Sequence, residues 1–413
     1  MEYGLIGRNV QNSFSKLIHN KLGYDYDLIS LNEEELNKFL EEKNFKGINV
    51  TIPYKETVLK HLNFVSSSVK SIGVCNCIVN KEGMLYGYNT DYDGVKYLLD
   101  KNNFSMTNKK VLILGTGGTC KTVSAVLKDL NVNKIYVASR NPNDDQISYQ
   151  VAQNLEVDYI INTTPNGMIG YSDDLLLDLS KYSKLEGVID VIYNPLKTRL
   201  IKEAEKLDIP CCNGLMMLVY QAIKASEYFF DKEIDEHIVN EIYCSILDSK
   251  TNIVLIGLPG CGKTTIGELL SKELNKDFID LDKEIVKKEE RSINEIFLKD
   301  GEQYFRNIES NICKEISKEA NKVIATGGGV ILNKENIEYL SKNGIVIFLD
   351  RKLENYLITN DRPLTKSKKD LERLHKERYN LYLSSCDQRV EIKENLEEDV
   401  KHIKELYYEI INR

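Results

Sequence analysis

The stretch VLIGLPGCGKTT at residues 254–265 carries glycines, then a lysine and two threonines, directly behind an apolar run. Gly257-x4-Gly262-Lys263-Thr264 fits the pattern G-x-x-x-x-G-K-[ST], with the strand-like NIVLIG before it and the helical pattern TTIGELLSKEL behind. Glycines at Gly257, Gly260 and Gly262 let successive backbone N–H groups turn toward a phosphate at a helix N-terminus. Lys263 then reaches the β and γ phosphates, and Thr264, followed by Thr265, offers a hydroxyl to Mg²⁺. The chemistry is phosphoryl transfer from ATP, and the loop alone leaves the acceptor open.

Downstream residues narrow the acceptor. FIDLDKEI ends a strand with Asp280 and Asp282 two apart, an extended spacing that predicts both carboxylates on one face, able to order Mg²⁺ and take a proton from a hydroxyl. GEQYFRNIES follows with Arg306 and Glu309 at helical spacing, then ATGGGV, NDRPLT and ERYNLY. Singly these read as surface ion pairs and turns. In this order they resemble shikimate kinase, over 252 to about 390. The resemblance implies that Lys263 stabilises the transferring phosphoryl group, that Thr264 and Asp280 hold Mg²⁺, and that Asp282 orients or deprotonates the acceptor hydroxyl. It further implies that Arg306 and Arg378 clamp a carboxylate, that Gly327, Gly328 and Gly329 form a substrate-contacting turn, and that Arg362 is a lid arginine facing the phosphates. A planar guanidinium holds a carboxylate through two parallel hydrogen bonds, which separates a hydroxy acid from a neutral polyol. Asn380 and Asn355 depart from the family, the latter near a usual basic contact to adenine.

A second glycine-rich turn, VLILGTGGTCKT, occupies 111–122. Gly115-x-Gly117-Gly118 follows the apolar KVLIL, with Cys120 where a third glycine of a dinucleotide loop would stand. The next strand pattern, KIYVASRN, ends in Ser139-Arg140, and an arginine there suits the 2′-phosphate of NADP rather than a ribose hydroxyl. Around it lie NSFSK with Ser13 and Ser15, GINVTIPYK with Asn49, Thr51 and Lys55, GVCNCIV with Asn76, and GYNTDYDG with Asn89, Thr90 and Asp91. INTTPNGM, DVIYNPLKTRL and NGLMMLVYQA complete the series.

Over residues 3 to 225 this series resembles shikimate dehydrogenase. By that resemblance Ser13, Ser15, Thr51, Asn76, Tyr193 and Gln221 contact the substrate, while Gly115, Gly117, Gly118, Ser139, Arg140 and Gly214 contact NADP(H). Hydride arriving at a keto carbon builds negative charge on oxygen, so a cation able to give a proton is needed. Lys55 fits that role, with Asp91 as its orienting partner. Asn12, Lys16 and Met216 depart from the family, and Asp144 stands where a second basic residue commonly helps the 2′-phosphate. The segment 141–158 is short. These departures predict a weaker NADP preference than a doubly basic site would give.

The elements that must position these residues alternate. KGINVTI, KVLILG, KIYVAS, VDYIINTT, GVIDVIY, NIVLIG, KVIATGGG and GIVIFLD read as short buried strands, most followed by helical periodicity, which predicts α/β architecture with mainly parallel sheets. The polar LDSKTN at 247–252 is expected to be a linker. The predicted arrangement is a mixed-sheet substrate domain over 1–100 completed by helices 215–245, a Rossmann NADP domain over 101–214, and a P-loop kinase domain with a parallel sheet over 250–413.

Composition sets limits on partners. The 413 residues are 42% hydrophobic, and 55 Lys+Arg against 63 Asp+Glu give a net charge of −8, so a nucleic-acid-coating surface is not expected. The nine cysteines make no C-x2-C pair, no apolar run approaches the roughly 18 residues of a membrane span, and MEYGLIGRNV lacks a signal-peptide pattern. A cytoplasmic, bifunctional enzyme is expected: NADPH-dependent reduction of 3-dehydroshikimate, then ATP- and Mg²⁺-dependent phosphorylation of shikimate. Two alternatives stay open, a quinate/shikimate dehydrogenase using NAD and a sensor without turnover. The sequence leaves the oligomeric state open.

Overall fold

Apolar runs rich in isoleucine, valine and leucine become the central strands of three sheets. The computed structural model describes residues 2–11, 13–356, 367–393 and 395–412, and the chain divides into two units, Met1–Ile246 and Leu247–Arg413.

The first unit holds two sheets. One contains β1 (Tyr3–Gly7), β2 (Asp27–Ser30), β3 (Gly47–Val50), β4 (Phe64–Val65), β5 (Cys77–Lys81) and β6 (Met84–Tyr88), in the order β2-β1-β3-β5-β6-β4. β1 runs parallel to β2 and β3, whereas β3–β5 and β5–β6 are antiparallel, so the sheet is mixed. The two-residue turn Glu82–Gly83 joins β5 to β6 with φ of 52° and 83°, the left-handed pair that matches strand twist in a hairpin. Ile6, Ile48, Ile78 and Leu85 pack with Leu36 and Leu40 of the helix Glu33–Glu42 to make the core of this half.

The other sheet contains β7 (Lys110–Leu114), β8 (Lys134–Ser139), β9 (Ile147–Ser148), β10 (Tyr159–Asn162), β11 (Gly187–Asp190) and β12 (Cys211–Cys212). Its order is β12-β11-β10-β7-β8-β9 and every pairing is parallel. The strand order reverses between β7 and β10, and in such sheets the crevice beyond the carboxyl ends at that reversal is where a dinucleotide binds. The helix Leu215–Phe230 packs on the helix Thr90–Lys101, and Gly94 permits the approach: an added Cβ would stand 2.7 Å from the Met217 carbonyl oxygen. At its far end, the Phe229 ring fills the space that a side chain at Gly47 of β3 would need.

The second unit contains β13 (Asn252–Ile256), β14 (Asp277–Asp280), β15 (Lys322–Ala325), β16 (Gly344–Arg351) and β17 (Gln388–Ile392), all parallel in the order β14-β15-β13-β16-β17. β13 is buried along its whole length, which explains its unbroken apolar pattern. Residues 247–252 are not the irregular linker that their polarity suggested. Leu247 to Lys250 are the last turn of the helix Glu236–Lys250, and Asn252 already begins β13. Their polar side chains serve this turn: the Thr251 hydroxyl donates to the Leu247 carbonyl, and the Asn252 side chain bridges Glu319 and Lys322.

Candidate active sites

In the second unit the chain leaves β13 through a loop whose glycines adopt left-handed φ, 148° at Gly257, 91° at Gly260 and 105° at Gly262, and enters the helix Lys263–Leu274. Gly257 also meets the neighbouring strand closely, since an added Cβ would lie 2.8 Å from the Leu349 carbonyl oxygen. Lys263 is 7% exposed and folds over its own loop, donating to the Gly257 and Leu258 carbonyls at 2.8 and 3.0 Å. The Thr264 hydroxyl donates to Asp280 Oδ2 at 2.8 Å.

Asp280 and Asp282 do not share a strand face. β14 stops at Asp280 because its carboxylate accepts the N–H groups of Asp282 and Lys283, at 3.0 and 3.3 Å, and so caps the helix Leu281–Glu289. Asp282 therefore lies in the first helical turn. Its carboxylate approaches Gly327, where an added Cβ would stand 2.8 Å from Asp282 Oδ1 and 3.0 Å from Glu309 Oε1.

Arg306 and Glu309 lie one turn apart on the helix Gly301–Ile316 and pair at 2.9 Å, with Glu302 bonded to the other side of the guanidinium at 3.0 Å. The guanidinium lies against the Cα of Gly329, so any side chain there would displace it from this position. Glu309 is 1% exposed, its Oε1 has no hydrogen-bond partner, and burial pushes its carboxyl above the usual range despite the Arg306 charge. Arg378, on the helix Lys368–Ser385, donates to the Gly328 carbonyl at 2.9 Å, and Tyr382 one turn later donates to the same oxygen. One cavity of about 860 Å³ is lined by Gly260, Gly262, Lys263, Thr264 and Thr265, by Asp280 and Asp282, and by Arg306, Gly327, Gly328, Gly329 and Arg378. It thus joins a glycine-rich loop to the guanidinium groups of Arg306 and Arg378 and the carboxylates of Asp280 and Asp282. Arg362 lies outside the described residues.

In the first unit Lys55 Nζ stands 2.6 Å from Asp91 Oδ2, with the side chains 17% and 11% exposed. Asp91 lies in the first turn of the helix Thr90–Lys101, which Asn89 caps by accepting the Tyr92 N–H. A chain of polar side chains is buried beside it: Asn76 Nδ2 donates to the Thr90 hydroxyl at 3.0 Å, and that hydroxyl reaches Gln221 Oε1 at 3.4 Å. Asn49 donates to the Asn76 carbonyl and accepts from Tyr26. Ser13 and Ser15 bond to each other at 3.0 Å, and the Tyr193 ring lies 5.2 Å from that of Phe14 between them. Burial raises the Tyr193 hydroxyl pKa, and the Asp91 charge adds to the rise. Thr51 packs its methyl over Gly7.

A cavity of about 750 Å³ is lined by Lys55, by Gly115, Gly117 and Gly118, and by Ser139 and Arg140. Gly115 has φ of 102° and is backed by Thr163 and Thr164, whereas a Cβ at Gly117 would meet nothing within 4 Å, so this side of the loop is open for a ligand. Gly214 does not line that cavity. It caps the helix Leu215–Phe230, where any side chain would collide with the Val191 carbonyl.

Sequence reasoning passed over several lining residues. Thr163, Thr164 and Tyr149 line the first unit's cavity, and Arg351, Ile392 and Lys393 line the second unit's. Thr163, Tyr149 and Lys393 stand just past the carboxyl end of a parallel strand, Thr164 one residue further, and Arg351 and Ile392 are the last residues of β16 and β17. The patterns VDYIINTT and GIVIFLD could have marked Thr163, Thr164 and Arg351.

The shikimate kinase family profile matches residues 259–408, and the profile of the shikimate dehydrogenase substrate binding domain matches 5–78. An NADP(+) shikimate dehydrogenase of Clostridium beijerinckii is 37% identical over 259 residues, covering 58% of this chain and 96% of the relative. Shikimate dehydrogenase 1 of Peptoclostridium difficile superposes with a TM-score of 0.56 at 33% identity, over 60% of this chain and 98% of the other. The Thermus thermophilus enzyme, solved in complex with NADP(H) and shikimate, gives 0.53 at 26% identity, over 59% and 98%. The chain joins two enzymes: through its first unit it belongs to the shikimate dehydrogenase family, and its second unit carries a shikimate kinase domain.

Proposed function

We propose that the first unit reduces 3-dehydroshikimate to shikimate with NADPH, and that the second phosphorylates shikimate to shikimate 3-phosphate with ATP and Mg²⁺. The observation that carries this reading is that each reactive group shares a cavity with its nucleotide loop, Lys55 with Gly115–Gly118 and Asp282 with Pro259–Thr265.

NADPH supplies the hydride when bound. As charge builds on the keto oxygen, the Lys55 ammonium gives it a proton, and Asp91 holds the lysine in place and steadies its charge. Ser13, Ser15, Thr51, Asn76, Tyr193 and Gln221 supply hydroxyl and amide groups suited to a polyhydroxy ring.

In the kinase, Lys263 exchanges its loop carbonyls for phosphate oxygens, and Arg306 and Arg378 hold the acceptor's carboxylate. Asp282 then takes the proton of the attacking hydroxyl. Thr264 and Asp280 bring two oxygen donors together beside the loop, a donor set that suits Mg²⁺ with phosphate oxygens completing its shell. That ion would neutralise charge on the transferring group. All nine cysteines are free thiols, which supports a reducing compartment such as the cytoplasm.

Initial rates with NADP⁺ and NAD⁺ on shikimate and quinate, alongside ATP-dependent phosphorylation of shikimate, test the reading. NADP-linked shikimate oxidation and shikimate phosphorylation are expected to dominate. A quinate preference with NAD, or no turnover, would reject it.

A further inference from the structure

Between Ser139 and Tyr149 the sequence offers one cation, Arg140, and two carboxylates, Asp144 and Asp145. A dianionic group here therefore cannot be held by a pair of cations from this segment. β8 and β9 are parallel neighbours in which Ser139 pairs with Ser148. Arg140 and Tyr149 are thus each the first residue past a strand, at the same end of the sheet, on strands spaced about 4.8 Å apart. Both line the cavity that holds Gly115, Gly117 and Gly118.

Their environments differ in a useful way. Arg140 is exposed, so its guanidinium can meet an anion at the cavity mouth. Tyr149 packs its ring against the core cluster of Leu112, Ala138 and Ala152, which fixes where its hydroxyl can reach. Burial raises the hydroxyl's pKa and the Arg140 charge only partly offsets this, so at neutral pH the group is a neutral donor.

Resting on the NADP reading above, we propose that Tyr149 donates its hydroxyl to the 2′-phosphate of NADP, and with Arg140 forms the part of the site that separates NADP from NAD. Arg140 supplies charge and Tyr149 supplies direction. The Tyr149 ring also lines the cavity and would contact the adenosine that carries the phosphate, a contact common to both dinucleotides.

Calorimetric titration of the full chain with NADP⁺ and with NAD⁺ tests this without relying on turnover. Y149F keeps the ring and removes the donor. It is expected to weaken NADP⁺ binding about tenfold, the scale of one hydrogen bond to a charged group, and NAD⁺ binding less than twofold. Y149A should weaken both, NADP⁺ more. R140A should weaken NADP⁺ selectively. Unchanged NADP⁺ affinity in Y149F, with R140A still selective, overturns the role of Tyr149 and leaves the NADP reading intact. A wild-type chain that binds both dinucleotides equally overturns both.

Discussion

The buried ammonium of Lys276 stands 3.0 Å from the carboxylate of Asp248. The lysine side chain is 0% exposed, and it also donates to the carbonyls of Asp248 and Thr251, at 2.7 and 3.1 Å, and to Asn321 Oδ1. The Tyr407 hydroxyl donates to the same carboxylate at 2.6 Å. Asp248 thus belongs to the packing of the second unit, although its sequence neighbourhood reads as a linker.

The kinase fragment must therefore include Asp248. Removing one partner of a buried pair costs about 3–5 kcal/mol, and the partial exposure of Asp248 reduces this to roughly 2 kcal/mol. A fragment 247–413 is expected to lose kinase activity at clearly higher urea than fragment 249–413. D248A in the longer fragment should behave like the shorter one. Equal midpoints for all three would show that Lys276 needs no counter-charge.

Asp190 gives the first unit a pH dependence. It is buried, and desolvation pushes its carboxyl up to about 6 from the ordinary 3.8, although Thr198, Ile192 and Asn162 donate to it and pull the other way. The folded chain holds that proton more tightly than the unfolded one. The resulting stability is whole below about pH 4 and lost as pH rises through about 6, a change on the order of 3 kcal/mol. D190N keeps an acceptor for Asn162 and Ile192 and can donate to Thr198. Its thermal midpoint for dehydrogenase inactivation should vary less than the wild type's between pH 4 and 7. Parallel curves would remove Asp190 as the cause.

Gly327 is where two carboxylates converge. A methyl group there would press on Asp282 Oδ1 and Glu309 Oε1. G327A is expected to lower kinase kcat/KM about 100-fold, the scale of a misplacement near 1 Å, with shikimate oxidation unaffected. Retention of more than half the kinase rate would mean that neither carboxylate needs its present position.

Much of this was legible because buried strands and glycine loops leave strong local signals. KVLILG, NIVLIG and GIVIFLD became β7, β13 and β16, each followed by residues that line one of the two cavities. The two-residue strands β4, β9 and β12 were not legible, since a ladder so short imposes no alternation. Tyr149 was missed for that reason: only the pairing of β9 with β8 brings it beside Arg140. Asp282 was misplaced because the cap made by Asp280 turns the chain one residue earlier than the extended pattern implied. The glycine at 214 was recognisable, but its reason, the Val191 carbonyl, comes from a residue 23 positions away and no local pattern carries it.

The central claim is that one chain carries two separate catalytic sets, and reciprocal single substitutions in the full chain test it most directly. K55A removes the ammonium beside Asp91, and K263A removes the ammonium that folds over the glycine-rich loop. With both reactions measured on both variants, K55A should lower NADP-linked shikimate oxidation about 100-fold or more and leave ATP-dependent phosphorylation within about twofold. K263A should do the reverse on a similar scale. Loss of both activities from either substitution, in a chain that still melts like the wild type, would contradict the account.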